Sequence, residues 1–299
     1  MADNSRIFDR ELLKARRRRA LARSGEPADF LARIVAEDLA ERLAAVTRDF
    51  DIAIDLGGIA GAATDAILET GKVATLIRAD DLVAAGDSPA AGLPLTIDAE
   101  TLPFAEGALD LVVSSLSLQF VNDLPGTLVQ IRKALKPDGL FLGAVLGGDT
   151  LSELRIALAE AEIEVTGGIS PRVAPALDVR DAGALLQRAG FALPVVDRDA
   201  LVVRYDTLFD LARDLRAMAA ANCLAERRHT PTPKALFLRA AEIYAEKFSD
   251  PDGRIRATFE VISLSGWAPH ESQQQPLRPG TAKTRLAEAL DPARPNDAE

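Results

Sequence analysis

The chain is poor in the residues that most often carry catalysis. Its 299 residues include one cysteine, Cys223, and two histidines, His229 and His270. A single cysteine excludes an internal disulfide and fits a reducing compartment. It reads as a small buried hydrophobe rather than a nucleophile. The two histidines lie far apart and lack metal-ligand spacing, so an iron site of the two-histidine, one-carboxylate kind finds no support and no metal is expected. No Ser/His/Asp arrangement and no Cys-x-x-Cys pair is present. No apolar run approaches the length of a membrane span, and no signal-peptide pattern opens the chain, so neither stable membrane insertion nor secretion is expected, and the reading places the protein in the cytoplasm. A net charge of -10 leaves too little basic surface for a nucleic acid partner.

What the chain does have is hydrophobic content of 48 %, enough for one large domain or two modest ones. Residues 1–25 form a basic N-terminal arm with Lys14 and Arg16 to Arg19. It reads as a solvated helix over the edge of the core, while a membrane, a nucleic acid or an acidic partner stays open for it. FLARIVAEDLAERLAAV follows, with Phe30, Ile34, Leu39, Leu43 and Val46 at helical spacing.

The organising stretch is FDIAIDLGGIAGAAT, residues 50–64: a buried strand from Asp51 to Leu56, a turn with Gly57, Gly58 and Gly61, then a helix start. Glycines admit close approach of a ligand, and a helix N-terminus offers unpaired N–H groups to an anion. Asp55 closes the strand. A helix ending at Gly71 and a second strand, Val73 to Ile77, lead to Asp80 and Asp81. An acid at that distance beyond the glycine loop is where doubly wound folds hold a ribose hydroxyl. A short third strand leads to Asp98. A fourth, Leu111 to Ser115, precedes a helix that Asp123 caps with Pro125 in its first turn. KPDG reads as a turn before a fifth strand.

Alternating strands and helices imply a parallel sheet covered on both faces. Right-handed crossovers then bring Asp55, Gly57, Asp80, Asp98 and Ser115 to one edge. Beyond residue 150, Asp149 or Thr150 can cap one helix and Asp178 another that ends at Gly190. Residues 194–205 read as a strand or hairpin, 207–226 and 234–248 as amphipathic helices, and 254–267 as a long final strand. The tail is rich in Ala, Pro and charge.

The ordered set IDLGGIAG, Asp80, IDAETLPF, LDLVVSSLSLQFVND and LKPDGLFLGAVLGGDT resembles the class I S-adenosylmethionine-dependent methyltransferases. The resemblance implies an α/β, Rossmann-like fold: a mostly parallel seven-stranded sheet, helices on both faces and a helical insertion before the last strand. It implies S-adenosylmethionine or S-adenosylhomocysteine as cofactor. Asp55, Gly57, Gly58 and Gly61 would surround its methionine part. Asp80 would bind the ribose hydroxyls, Asp98 with Ala99 the adenine, and the segment from Ser115 to Gln119 would face the methyl group. The loop departs from the family at Ile59, where glycine is usual. A β-branched residue resists positive φ, so the departure implies a reshaped loop and weaker cofactor binding.

A second resemblance runs over residues 6–282. SSLSLQFVNDLP, LKPDGLFLGAVLGGDTLSELR, LLQRAGF and GWAPHESQQQP look like the complex I assembly factors with a methyltransferase fold, a group with a protein-arginine hydroxylase among its members. It implies a protein substrate in a complex I subunit. A weaker resemblance runs to the enzymes that methylate a carrier-bound carboxylate early in biotin synthesis. Three functions stay open: arginine modification during complex I assembly, O-methylation of a small or carrier-bound carboxylate, and a non-catalytic assembly chaperone. The expected organisation is a basic arm at 1–25, a cofactor domain at 26–282 with an insertion near 206–250, and a tail at 283–299. His270 and Glu271 are the catalytic candidates, placed either at the acceptor side of the site or at the far edge of the sheet as ordering residues.

Overall fold

The computed structural model describes residues 6–22, 29–57, 61–82 and 92–274. Strands β1 (Phe50–Leu56), β4 (Leu109–Ser115) and β5 (Leu135–Leu146) are buried on both faces along most of their length. That is what central strands of a doubly covered parallel sheet require. β2 (Val73–Asp80) and the four-residue β3 (Leu93–Thr96) extend the sheet beyond β1. On the other side β7 (Ile255–Trp267) lies antiparallel between β5 and β6 (Ala192–Tyr205). The full order is β3-β2-β1-β4-β5-β7-β6, with the first five strands parallel. This is the expected α/β Rossmann-like architecture, with the last strand antiparallel beside the fifth.

Each face of the sheet carries its own core. On one face α2 (Phe30–Ala44), α3 (Ala62–Glu69), α5 (Ser152–Thr166), α7 (Leu208–Ala217) and α8 (Lys234–Phe248) bury Leu39, Ile67, Ala157, Leu211 and Tyr244. On the other, α4 (Leu124–Ala134) and α6 (Val179–Ala189) bury Ile131 and Leu186 against Phe141. α7 and α8 stand between β6 and β7, as the helical insertion.

The caps follow local chemistry. Asp123 accepts from the Gly126 amide at 2.8 Å and opens α4. Asp178 opens α6 in the same way, and Gly190 closes it at φ +87°. Several expectations are corrected. KPDG is absorbed into β5 as an irregularity, with Leu109 opposite Leu135 and Leu111 opposite Leu140, and Asp138 takes φ +63°. Neither Asp149 nor Thr150 caps α5. Leu151 holds that position at φ +53°, while the Thr150 hydroxyl donates to the Glu260 carbonyl. Of the two readings for residues 194–205 the strand holds, since β7 pairs with every residue from Val195 to Tyr205. α7 stops at Ala217, short of the expected 226, and Ala219 turns the chain at φ +58°. In α2 the buried stripe is Leu31, Val35, Leu39 and Leu43, which leaves Ile34 exposed. Residues 1–269 and 270–299 form two separate units.

Candidate functional site

The carboxyl ends of β1, β2 and β4 meet at one edge. At β1, Asp55 is fully buried and one oxygen accepts from the Thr64 hydroxyl at 2.6 Å. Its other oxygen is buried with no hydrogen-bond partner. Burial pushes this carboxyl up to about 6, against the Thr64 bond and with the help of Asp80. Gly57 stands at φ +80°, and a Cβ there would come within 2.6 Å of the Ser117 hydroxyl. Gly61 opens α3 at φ +74° with Arg78 beneath it. Gly58 and Ile59 lie outside the described residues. The hydroxyls of Ser114 and Ser117 both donate to the Leu56 carbonyl, at 2.9 and 2.8 Å, and bind the β1 turn to the loop after β4.

At β2, Asp80 is 6 % exposed. It accepts from Arg17 at 2.5 Å and from the Leu82 amide at 3.1 Å. The same guanidinium reaches Asp81 at 2.8 Å. Burial, then the neighbouring Asp80, raises the Asp81 carboxyl above the ordinary range. Asp98 accepts both ends of Arg10, at 2.6 and 3.0 Å, and this guanidinium holds its carboxyl below the usual range. Ala99 packs against the core on the α4 side. Ser115 ends β4, buried opposite Ala144.

Arg10 and Arg17 stand on α1 (Arg10–Leu21), a helix without buried residues. Two turns separate them, so they share one face. Sequence reasoning took this basic run as solvated and missed both contacts. The available signal was the spacing of arginines opposite a run of aspartates.

A cavity of about 1330 Å³ extends from Asp80, Ser115 and Gln119 to α7 and the segment after it. Asp98 lines a separate hollow of about 700 Å³, together with Arg10 and Lys14 of α1. Three of the five described non-glycine residues with positive φ, Leu116, Leu151 and Ala219, line the larger cavity. Such conformations cost energy and gather at functional sites. Gln119 donates to the Leu116 carbonyl at 2.9 Å, and its side-chain oxygen is buried and unpartnered.

Cys223 is buried, and burial pushes its thiol up, as befits a packing residue. His270 and Glu271 begin the second unit. There the His270 ring shares a hydrogen bond with the Ser272 hydroxyl at 2.7 Å and is exposed. Among the described residues no group of three His, Cys, Asp or Glu side chains is placed to hold a metal, and no helix is long and apolar enough to cross a membrane.

The sheet order and the glycine turn define a class I methyltransferase fold, and a family model described as a methyltransferase domain matches residues 54–143. The YcgJ protein of Bacillus subtilis shares the fold, with a TM-score of 0.51 at 15 % identity over 79 % of this chain and 98 % of that one. The rat protein named arginine-hydroxylase NDUFAF5, mitochondrial, is 42 % identical over 97 % of this chain and 85 % of its own. The chain belongs to the family of that protein, an enzyme family built on the methyltransferase domain. A malonyl-[acyl-carrier protein] O-methyltransferase of Methylovorus is 34 % identical over 86 % of this chain and 89 % of its own.

The expectation of a cytoplasmic protein does not stand against these relatives, since the rat protein is named as mitochondrial. Cysteine usage and the lack of an apolar span report on redox state and membrane crossing. Neither separates one reducing compartment from another.

Proposed function

We propose that this chain binds S-adenosylmethionine at the strand edge and modifies an arginine of a protein substrate, a complex I subunit, during assembly of that complex. The observation that carries the reading is the 42 % identity with the rat arginine-hydroxylase across nearly the whole chain. The resemblance of GGDTLSELR and GWAPHESQ to complex I assembly factors supports the choice of partner.

The residues fit the cofactor. Asp80 is a two-oxygen acceptor suited to two adjacent hydroxyls, once Arg17 yields at least one oxygen. Asp98 and Ala99 would meet the adenine once Arg10 releases the carboxylate that it holds at both oxygens. Gly57 and Gly61, both at positive φ, let the backbone approach the methionine part, and the orphaned oxygen of Asp55 supplies a buried acceptor beside them. When bound, the cofactor supplies a methyl group on a positively charged sulfonium. The chain's own share is alignment of the acceptor and exclusion of water, which a cavity walled by Leu146, Leu154 and Phe259 favours.

The test is mass spectrometry of complex I subunits from cells lacking the chain. Loss of about 16 Da from one arginine is the expected outcome, an oxygen atom that the sulfonium does not carry and that dioxygen with a two-electron reductant would have to supply. Loss of about 14 Da, a methylene, would replace hydroxylation by methylation. Unchanged subunits would refute the substrate. Carboxyl methylation of a carrier-bound acid would then take its place if the pure chain shows that activity. A chain that fails to bind S-adenosylhomocysteine in calorimetry would instead be an assembly chaperone.

A further inference from the structure

The carboxylates of the large cavity differ in what they are committed to. Three aspartates line it: Asp29, Asp80 and Asp214. Asp29 is paired with Arg33 at 3.2 Å and Asp80 with Arg17 at 2.5 Å. Asp214 forms no ion pair among the described residues. It stands on α7 between Leu211 and Leu215, both buried, at the margin of the face that α7 turns inward. An unpaired carboxylate at the margin of an apolar wall is costly to keep unless something binds it.

The neutral donor beside Asp214 is the Tyr205 hydroxyl. The Tyr205 side chain is 7 % exposed, and its hydroxyl is buried without a hydrogen-bond partner. Burial first, then the Asp214 charge and the approach of the hydroxyl to that carboxylate, raises the pKa of this phenol, which keeps it neutral and a donor toward Asp214. On the strand side of the same cavity Gln119 presents a buried, unpartnered oxygen. Eight arginines line the wall, and no ion pair joins any of them to Asp214 among the described residues. Arg17, Arg172 and Arg227 are taken by Asp80, Glu162 and Asp9. Arg213 pairs with Asp210 and its side chain is 70 % exposed.

The complement of a carboxylate with no cationic partner, and of a spare acceptor oxygen on Gln119, is a cation rich in donors. A guanidinium carries five N–H groups in a planar fork that matches a carboxylate two bonds at a time. We infer that Asp214 is the substrate-binding carboxylate that receives the guanidinium of the arginine to be modified, from the α7 wall of the cavity, while Gln119 supplies a further acceptor from the strand side. The assignment rests on the arginine reading above and adds the residues that select it. It also gives α7 a purpose: the insertion carries the selectivity, and the strand edge carries the cofactor.

The test uses the full chain saturated with S-adenosylhomocysteine. Two probes are titrated by NMR: N-acetyl-arginine amide, and N-acetyl-citrulline amide, which is nearly the same shape without the charge. The unaltered chain should prefer the arginine probe by about tenfold or more, because a charge-assisted bidentate pair is lost with citrulline. Asp214→Asn should erase most of that preference, Asp214→Glu should keep part of it, and all three proteins should bind S-adenosylhomocysteine alike. An Asp214→Asn protein that retains the full preference overturns the assignment and leaves the arginine reading standing. An unaltered chain that shows no preference for arginine, and binds a malonate monoester in its place, overturns the arginine reading itself.

Discussion

Glu162 and Asp80 are both carboxylates buried against an arginine, yet they are finished differently. Glu162, on α5, is 1 % exposed. It accepts from Arg172 at 2.7 and 2.8 Å and from the Ser170 amide and hydroxyl at 3.0 and 2.8 Å. Arg172 continues to the Thr232 hydroxyl at 3.1 Å. Asp80 accepts from one shared guanidinium and one amide, and that guanidinium belongs to a helix with no buried residues. Glu162 is a closed joint between α5, the loop after it and the segment before α8. Asp80 has acceptor capacity to spare and a partner held only from the surface. A buried ion pair with every lone pair filled serves structure, whereas one held by a surface helix can exchange its partner for a ligand.

The largest effect should come from breaking the joint. Glu162→Ala leaves Arg172 buried without its carboxylate, a change worth about 3–5 kcal/mol of stability. Denaturant unfolding should show it, and a loss comparable to that at a surface pair would end the contrast with Asp80. The arginine, first, holds the Glu162 carboxyl down to about 2, below an ordinary 4.5. A depressed carboxyl stabilises the fold above its unfolded pKa. This contribution should therefore be full above pH 4.5 and fade as pH falls toward 2.

Asp80→Ala should leave the fold intact and weaken S-adenosylhomocysteine binding at least tenfold, since bonds to a charged acceptor are worth about 1.5–3 kcal/mol each. Unfolding would place Asp80 with Glu162 as a structural residue. Unchanged affinity in calorimetry would put the cofactor elsewhere.

Asp55 gives a pH signature of opposite sign. Its folded pKa of about 6 lies above the ordinary 3.8, so the folded state takes up the proton first. Stability from this group rises as pH falls from 6 toward 3.8, and above 6 the buried charge is a cost. Asp55→Asn should remove that rise and add on the order of 1–3 kcal/mol near neutral pH. A stability profile identical to that of the unaltered chain would show that Asp55 is not a buried, strained carboxylate.

The strand-edge half of this contrast was legible in the sequence and the other half was not. β1, the glycine turn, Asp80, Asp98 and Ser115 come in a fixed order because a parallel sheet places successive strand ends on one edge. Asp123 and Asp178 announced their helices by local hydrogen bonding, which needs no tertiary information. Arg17 on Asp80, Arg172 on Glu162 and Asp214 on the cavity wall depend on how α1, α5 and α7 dock, and no short-range pattern encodes docking. KPDG failed for the same reason: the four residues form a good turn alone, but Leu135 opposite Leu109 and Leu140 opposite Leu111 carry the strand through them as a bulge, with Asp138 at φ +63°.

The smallest effect, and the sharpest test of an exchangeable pair, lies at Arg17. In the structure its guanidinium spans Asp80 and Asp81 at 2.5 and 2.8 Å, with the side chain 13 % exposed. A ribose that takes Asp80 must displace part of this contact, so the pair opposes the cofactor. The opposition is modest. The pair is as buried as that of Arg172 with Glu162, but Asp81 can keep the guanidinium while Asp80 turns to the ligand, so only part of the contact is lost. Arg17→Gln removes the charge and keeps a donor of similar reach. It should therefore tighten S-adenosylhomocysteine binding by about twofold to fivefold, a difference of about 0.4–1 kcal/mol. The double variant with Asp80→Ala should bind no better than Asp80→Ala alone, because the gain exists only through that carboxylate. Weaker binding in the Arg17→Gln protein would reverse the assignment and make α1 part of the wall that holds the cofactor.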